Sequence, residues 1–158
     1  MQTIKPFLWF NMNAEEAVNF YASVFPDAKI GVISRCGLGG PWPEGTVLTI
    51  DFEILGMKFI ALSGGPEYKF TDAVSFMVPC ETQAEIDELW EKFISSGGTE
   101  VACGWLHDKF GLSWQITPAN IGELLAGKDA EGGKRAMQAM MQMKKLDIRE
   151  LQRAGGFA

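Results

Sequence analysis

The chain has 158 residues, 47% of them hydrophobic, and carries a net charge of −6. That length buries one core and little more, and the acidic balance argues against nucleic acid, whose phosphates demand a surplus of Lys and Arg. No apolar run approaches the roughly 20 residues that cross a bilayer, and the amino terminus lacks the basic and apolar segments of a secretion signal, so a cytoplasmic protein with no membrane partner is expected.

In chain order, Ile4 to Phe10 reads as a strand, and Asn13 with Glu16 has the spacing that caps a helix. Ala14, Ala17, Val18, Tyr21 and Phe25 then recur at helical spacing until Pro26 and Asp27 end the run. Lys29 to Arg35, Thr46 to Leu55 and Met57 to Leu62 are rich in β-branched and aromatic residues and predict three strands. The connection from Cys36 to Gly45 is too rich in Gly and Pro for regular structure. With Trp42 at its centre it is either a lid or a plain hairpin connection, and it lacks the Lys-Ser or Lys-Thr of a phosphate cradle.

The same grammar then repeats. Ala73 to Val78 is the strand, Thr82 and Glu85 form the cap, and Ile86, Leu89, Trp90, Phe93 and Ile94 make the buried stripe before Gly97 and Gly98 stop the helix. Glu100 to Leu106 and Leu112 to Thr117 predict two further strands joined by a turn over Asp108 to Gly111. The period is longer than that of solenoid repeats and suits a duplicated half-domain. The expected organisation is one domain over residues 1–131, made of modules at about 1–65 and 66–131, and a helical extension over 132–158.

Beyond the repeat, Asn120 with Glu123 caps a short helix, Met137, Met140 and Met141 stripe a second, and Asp147 with Glu150 caps a third stapled by Leu146 and Leu151. The methionine face serves packing on the body or on a second subunit. Lys134, Arg135, Lys144, Lys145, Arg149 and Arg153 make this tail basic against Asp147 and Glu150. It is either drawn onto the acidic body or a partner subunit, or simply solvated. Cys36, Cys80 and Cys103 are odd in number and widely spaced, which fits buried thiols rather than a disulfide framework.

The duplicated module with its segments WFNMNAEEAVNFYASVFP, GGPEYKF and CGWLHDKFGLSWQITP resembles the vicinal oxygen chelate superfamily of glyoxalase, bleomycin-resistance and extradiol-dioxygenase proteins. It resembles most closely the PhnB-like branch, many members of which are called 3-demethylubiquinone-9 3-methyltransferase. The resemblance implies an α+β fold of paired β-α-β-β-β modules with carboxyl-terminal helices, the sheets curling around a cleft that holds a divalent metal. Carried onto this chain, the four ligand positions fall on Pro6, Ala61, Ala73 and Gln115. Proline and alanine bring no side-chain donor, and a neutral amide binds cations weakly, so neither metal nor cofactor is expected.

Residues two apart from each ligand position share its face. Leu8, Phe10, Phe59, Ser63, Ser75, Met77, Ser113 and Gln115 are therefore expected to line the cleft, joined by Trp42, Cys103 and Trp105. Such a lining suits a small hydrophobic or aromatic molecule, unless these residues fill a closed core. The lone His107 reads as a surface residue in a turn, and neither Asp108 nor Glu67 belongs to an evident acid–base pair. Three functions follow: a metal-independent small-molecule binding protein, an enzyme on a small aromatic or quinone-like substrate, or a structural or regulatory homodimer. No Gly-rich turn of the kind that holds an adenosyl nucleotide in a Rossmann-like domain is present.

Overall fold

The computed structural model describes residues 3–157, which form two compact units divided between Phe70 and Thr71. No helix among the described residues is long and apolar enough to cross a membrane.

The first unit runs β1 (Phe7–Phe10), α1 (Ala14–Val24), β2 (Lys29–Arg35), β3 (Val47–Ile54) and β4 (Met57–Ser63). Its sheet has the order β1-β4-β3-β2, parallel between β1 and β4 and antiparallel elsewhere. The first strand is shorter than the sequence predicts, because Ile4 is solvent-exposed and the ladder is entered at Pro6, whose carbonyl accepts from Ile60 N–H but which has no N–H to return. Asn13 occupies the N-cap without a side-chain bond, its backbone lying outside the extended region that aims a cap.

One face of this sheet is packed by α1. Tyr21 stacks on Phe52 with centroids 6.0 Å apart, and Phe52 stacks on Phe59 at 5.1 Å. Phe10 reaches Tyr21 at 6.4 Å. The burial of Ala17, Val18, Tyr21 and Val24 follows from their helical spacing, which puts all four on the stripe facing the sheet.

The second unit repeats the arrangement: β5 (Ser75–Cys80), α2 (Gln83–Ser95), β6 (Thr99–Glu100), β7 (Trp105–His107) and β8 (Ser113–Pro118), in the order β5-β8-β7-β6. Again the outer pair, β5 with β8, is parallel. Thr82 caps α2 by accepting from Glu85 N–H at 3.2 Å. Phe93 of α2 packs on Trp114 at 5.3 Å, and Trp114 on Phe76 at 5.7 Å.

The stretch predicted as one strand from Glu100 to Leu106 is instead two short strands with a bend between them. Cys103 and Gly104 have φ of 58° and 83°, a left-handed turn no strand accommodates. Their N–H groups donate to Met143 and Lys144 carbonyls rather than to a neighbouring strand. The carboxyl-terminal segment thus sets the shape of this hairpin.

That segment comprises α3 (Ile121–Ala126), α4 (Ala130–Met141) and α5 (Ile148–Gly155). Leu124, Leu146 and Leu151 form its buried cluster, with Met140 and Met143 packed against it. Of the predicted methionine stripe, Met137 and Met141 remain exposed. Asp147 caps α5 through Glu150 N–H at 2.9 Å, whereas Asn120 makes no side-chain cap on α3. Part of the basic tail is drawn onto its own unit: Lys144 pairs with Glu100 at 3.1 Å and Lys145 with Asp87 at 2.6 Å. Gln83 joins α2 to the start of α5, donating to Leu146 O and accepting from Ile148 N–H.

Candidate ligand-binding face

In the second sheet α2 covers the side that carries Phe76, Leu106, Trp114 and Ile116, so alternation sends the intervening residues to the other side. The register arranges these in rows across β5, β8 and β7. Ser75, Ser113 and His107 form one row, and Met77, Gln115 and Trp105 the next. Pro79 and Thr117 follow.

The chemistry of the rows is mostly neutral. Gln115 Nε2 donates to Ser75 Oγ at 2.8 Å. Ser113 Oγ and Thr117 Oγ1 are buried and have no hydrogen-bond partner among the described residues, although a buried hydroxyl left unmatched costs about 1–3 kcal/mol. Met77 is 57% exposed and Trp105 half-buried, giving the middle row apolar flanks. His107 Nε2 lies 2.5 Å from Asp72 Oδ1.

The hairpin that presents this face is held by Asp108. Its buried carboxylate accepts from Phe110 N–H at 2.9 Å, Leu112 N–H at 3.0 Å and Trp114 Nε1–H at 2.9 Å. Asp108 is therefore a structural anchor on the α2 side, one strand position away from the residues of the face.

The expected lining divides accordingly. Ser75, Met77, Trp105, Ser113 and Gln115 come together on this face. Leu8, Phe10, Phe59 and Ser63 do share the side of Pro6 and Ala61, but that side is the one α1 covers, so they are buried there and not on the sheet's other face as expected of cleft-lining residues. The side of that sheet away from α1 carries Trp9, Ile60 and Leu62, which the sequence reading passed over. The parity was ambiguous because β1 and β4 are apolar on both sides. Cys103 sits in the left-handed bend, off the strand grid. Trp42 is tied down, donating through Nε1 to Ser63 O at 2.9 Å, while Trp9 Nε1 donates to Gly65 O at 2.9 Å.

Two residues of the face escaped the sequence reading, Thr117 and His107. Thr117 continues the period-2 run of Ser113 and Gln115, a signal present in the sequence. His107, which the sequence places beside the turn, pairs with Ser113 inside the ladder.

The residues at the four positions where the resemblance implies ligands do not fit a divalent cation. Pro6 and Ala61 belong to the α1 side, Ala73 lies in an exposed turn before β5, and the amide nitrogen of Gln115 is engaged by Ser75. Among the described residues no three His, Cys, Asp or Glu side chains gather as a metal set.

Residues 2–117 match the family described as 3-demethylubiquinone-9 3-methyltransferase. Among solved structures, the chain is 39% identical to the PhnB protein from Bacillus cereus, covering 75% of this chain and 100% of that one with a TM-score of 0.67. Protein PA1353 from Pseudomonas aeruginosa shares 18% identity over 75% of this chain and 98% of its own, with a TM-score of 0.61. The fosfomycin resistance protein FosX from Mesorhizobium loti shares the fold at 14% identity, with a TM-score of 0.57 over 79% of this chain and 97% of its own. No curated protein sequence matches the chain.

Proposed function

The chain belongs to the 3-demethylubiquinone-9 3-methyltransferase family of the vicinal oxygen chelate superfamily, and we propose that it binds a small hydrophobic or aromatic molecule without a metal ion. The observation that carries this reading is the pair of buried, unpartnered hydroxyls of Ser113 and Thr117 on either side of Gln115. A core packed only for stability leaves few such groups, since each forgoes its hydration. A ligand oxygen or nitrogen would restore the missing bonds, and Met77 and Trp105 supply apolar contact beside them.

Native mass spectrometry on freshly purified protein tests the reading. We expect an organic mass that leaves on denaturation, and no stoichiometric zinc, nickel, iron or manganese after dialysis. A retained metal at one per chain would overturn metal independence. The same spectrum counts subunits, and two are expected because Met137 and Met141 leave an apolar stripe of α4 uncovered.

A second reading, catalysis on an aromatic or quinone-like substrate, is favoured by the pairing of His107 with Asp72. An imidazole oriented by a carboxylate is a competent proton-transfer group. Methyl transfer from a labelled donor to a quinone precursor, lost in His107→Gln, is the result this reading predicts.

A further inference from the structure

Resting on the binding reading above, we propose that the row of Ser113 and His107, with Asp72 behind it, recognises a hydroxyl group on the ligand, phenolic or enolic in kind. Three observations combine.

The first is proximity. Asp108 N–H donates to Leu112 O and Ile116 N–H to Gly104 O, which makes those residues the hydrogen-bonded pairs of the β7–β8 ladder. His107 and Ser113 are Cα partners one position from the first of these pairs and three from the second, and because the two kinds of pair alternate along an antiparallel ladder they form a non-hydrogen-bonded pair. In such a pair the Cα atoms stand about 4.5 Å apart and the side chains lie closest.

The second is polarity. The Asp72 carboxylate can only accept, so in the neutral imidazole the proton sits on Nε2 and Nδ1 is left as an acceptor. Among the described residues Ser113 Oγ has no hydrogen-bond partner. One group that both donates and accepts satisfies the two together: its oxygen takes the Ser113 hydroxyl proton and its own O–H goes to His107 Nδ1. A ketone or an ether offers no proton, and an ionised carboxylate only accepts.

The third is charge. Asp72 already answers any positive charge that His107 acquires, so an added carboxylate would stand beside an acid with no cation of its own. A neutral hydroxyl carries no such penalty. Its aromatic or conjugated body extends along the face toward Met77 and Trp105, the row that follows in register.

His107 is the only histidine in the chain, so one imidazole signal reports the site. The test titrates 1-naphthol and its methyl ether into the full chain, following the imidazole nitrogen resonances and tryptophan fluorescence. Naphthol is expected to shift the imidazole signals and to bind about tenfold more tightly than the ether, the worth of one hydrogen bond of about 1.4 kcal/mol. Ser113→Ala and, separately, the exposed Asp72→Asn are each expected to reduce that ratio to about twofold or less, corresponding to most of the bond being lost. Equal binding of both probes with an unmoved imidazole overturns the hydroxyl site and leaves the binding face standing. Failure of both probes to bind overturns the two together.

Discussion

Gln115 Nε2 donates to Ser75 Oγ across the parallel β5–β8 pair, at 2.8 Å and one row from Ser113. The bond fixes the amide's orientation and turns its carbonyl oxygen into the free acceptor of that side chain. At the position where the superfamily resemblance implies a metal ligand, this chain holds a neutral amide locked to a neighbouring hydroxyl. On the proposed binding reading, a ligand would meet hydrogen-bonding groups of fixed direction on this face.

Ser113→Ala removes a buried hydroxyl that has no partner and leaves a methyl of similar size. The free protein is expected to keep or gain stability, by at most about 1–3 kcal/mol, while ligand affinity falls. Thermal melts of the free and ligand-bound forms separate the two effects. A free protein destabilised by more than about 1 kcal/mol would mean that the hydroxyl has a partner after all.

Asp108→Asn replaces one acceptor oxygen with an amide that meets another donor, either a backbone N–H or the Trp114 indole. Because bonds to a charged group are worth about 1.5–3 kcal/mol and the misplaced donor adds desolvation, a loss of roughly 3 kcal/mol is expected by chemical denaturation. The hairpin that carries Gln115 should loosen first, seen as faster amide exchange at Phe110 and Leu112.

Gly64→Ala would place a Cβ 2.3 Å from the Trp9 ring. The indole is held by its bond to Gly65 O, so it yields only by losing that contact, and overpacking of this kind costs about 1–3 kcal/mol. Lower denaturant midpoints with reduced Trp fluorescence anisotropy would accompany the substitution.

Thiol labelling at pH 8 is expected to leave Cys80 untouched in the folded protein. Burial, and then the nearby Glu85 charge, push its pKa up to about 11, so roughly one molecule in a thousand carries the thiolate. Cys103, half-buried in the bend, should react before Cys36 and Cys80, both of which are buried. Mass spectrometry of peptides from partially labelled protein gives the order.

Acid should loosen the attachment of the carboxyl-terminal helices. The Lys145 hydrogen bond, then that of Gln83, holds Asp87 below its ordinary 3.8, and the Trp90 bond, then that of Lys144, holds Glu100 below its ordinary 4.5. Groups with lowered pKa in the folded state contribute stability above their unfolded values, and that contribution is lost as pH falls through the folded ones. Amide exchange in α5 should therefore accelerate below about pH 3.8 while the strands of the first unit hold, and high salt should mimic part of the effect.

The duplicated grammar was legible in the chain because helix stripes and caps are local. Thr82 with Glu85, Asp147 with Glu150, and the Tyr21 and Trp90 faces follow from residues within a few positions of each other. Which residues of the second sheet face away from α2 was legible too, since Ser113, Gln115 and Thr117 alternate with the strongly apolar Trp114 and Ile116 in one short strand. The first sheet gave no such contrast. Leu8 and Trp9, or Ala61 and Leu62, are apolar on both sides, and a choice of parity off by one position sends every side chain to the wrong face.

What the amino-acid order determined by itself was the inventory: two modules, their elements, and side chains without a metal donor at Pro6, Ala61 and Ala73. Tertiary structure alone decided which side of the first sheet α1 covers, where Cys103 and Gly104 break the hairpin, and that Asp72 bonds the His107 ring opposite Ser113 in the ladder. Those outcomes depend on partners 6 to 40 positions away in the chain, and pairings of that kind are set by register and packing rather than by any local preference of the residues involved.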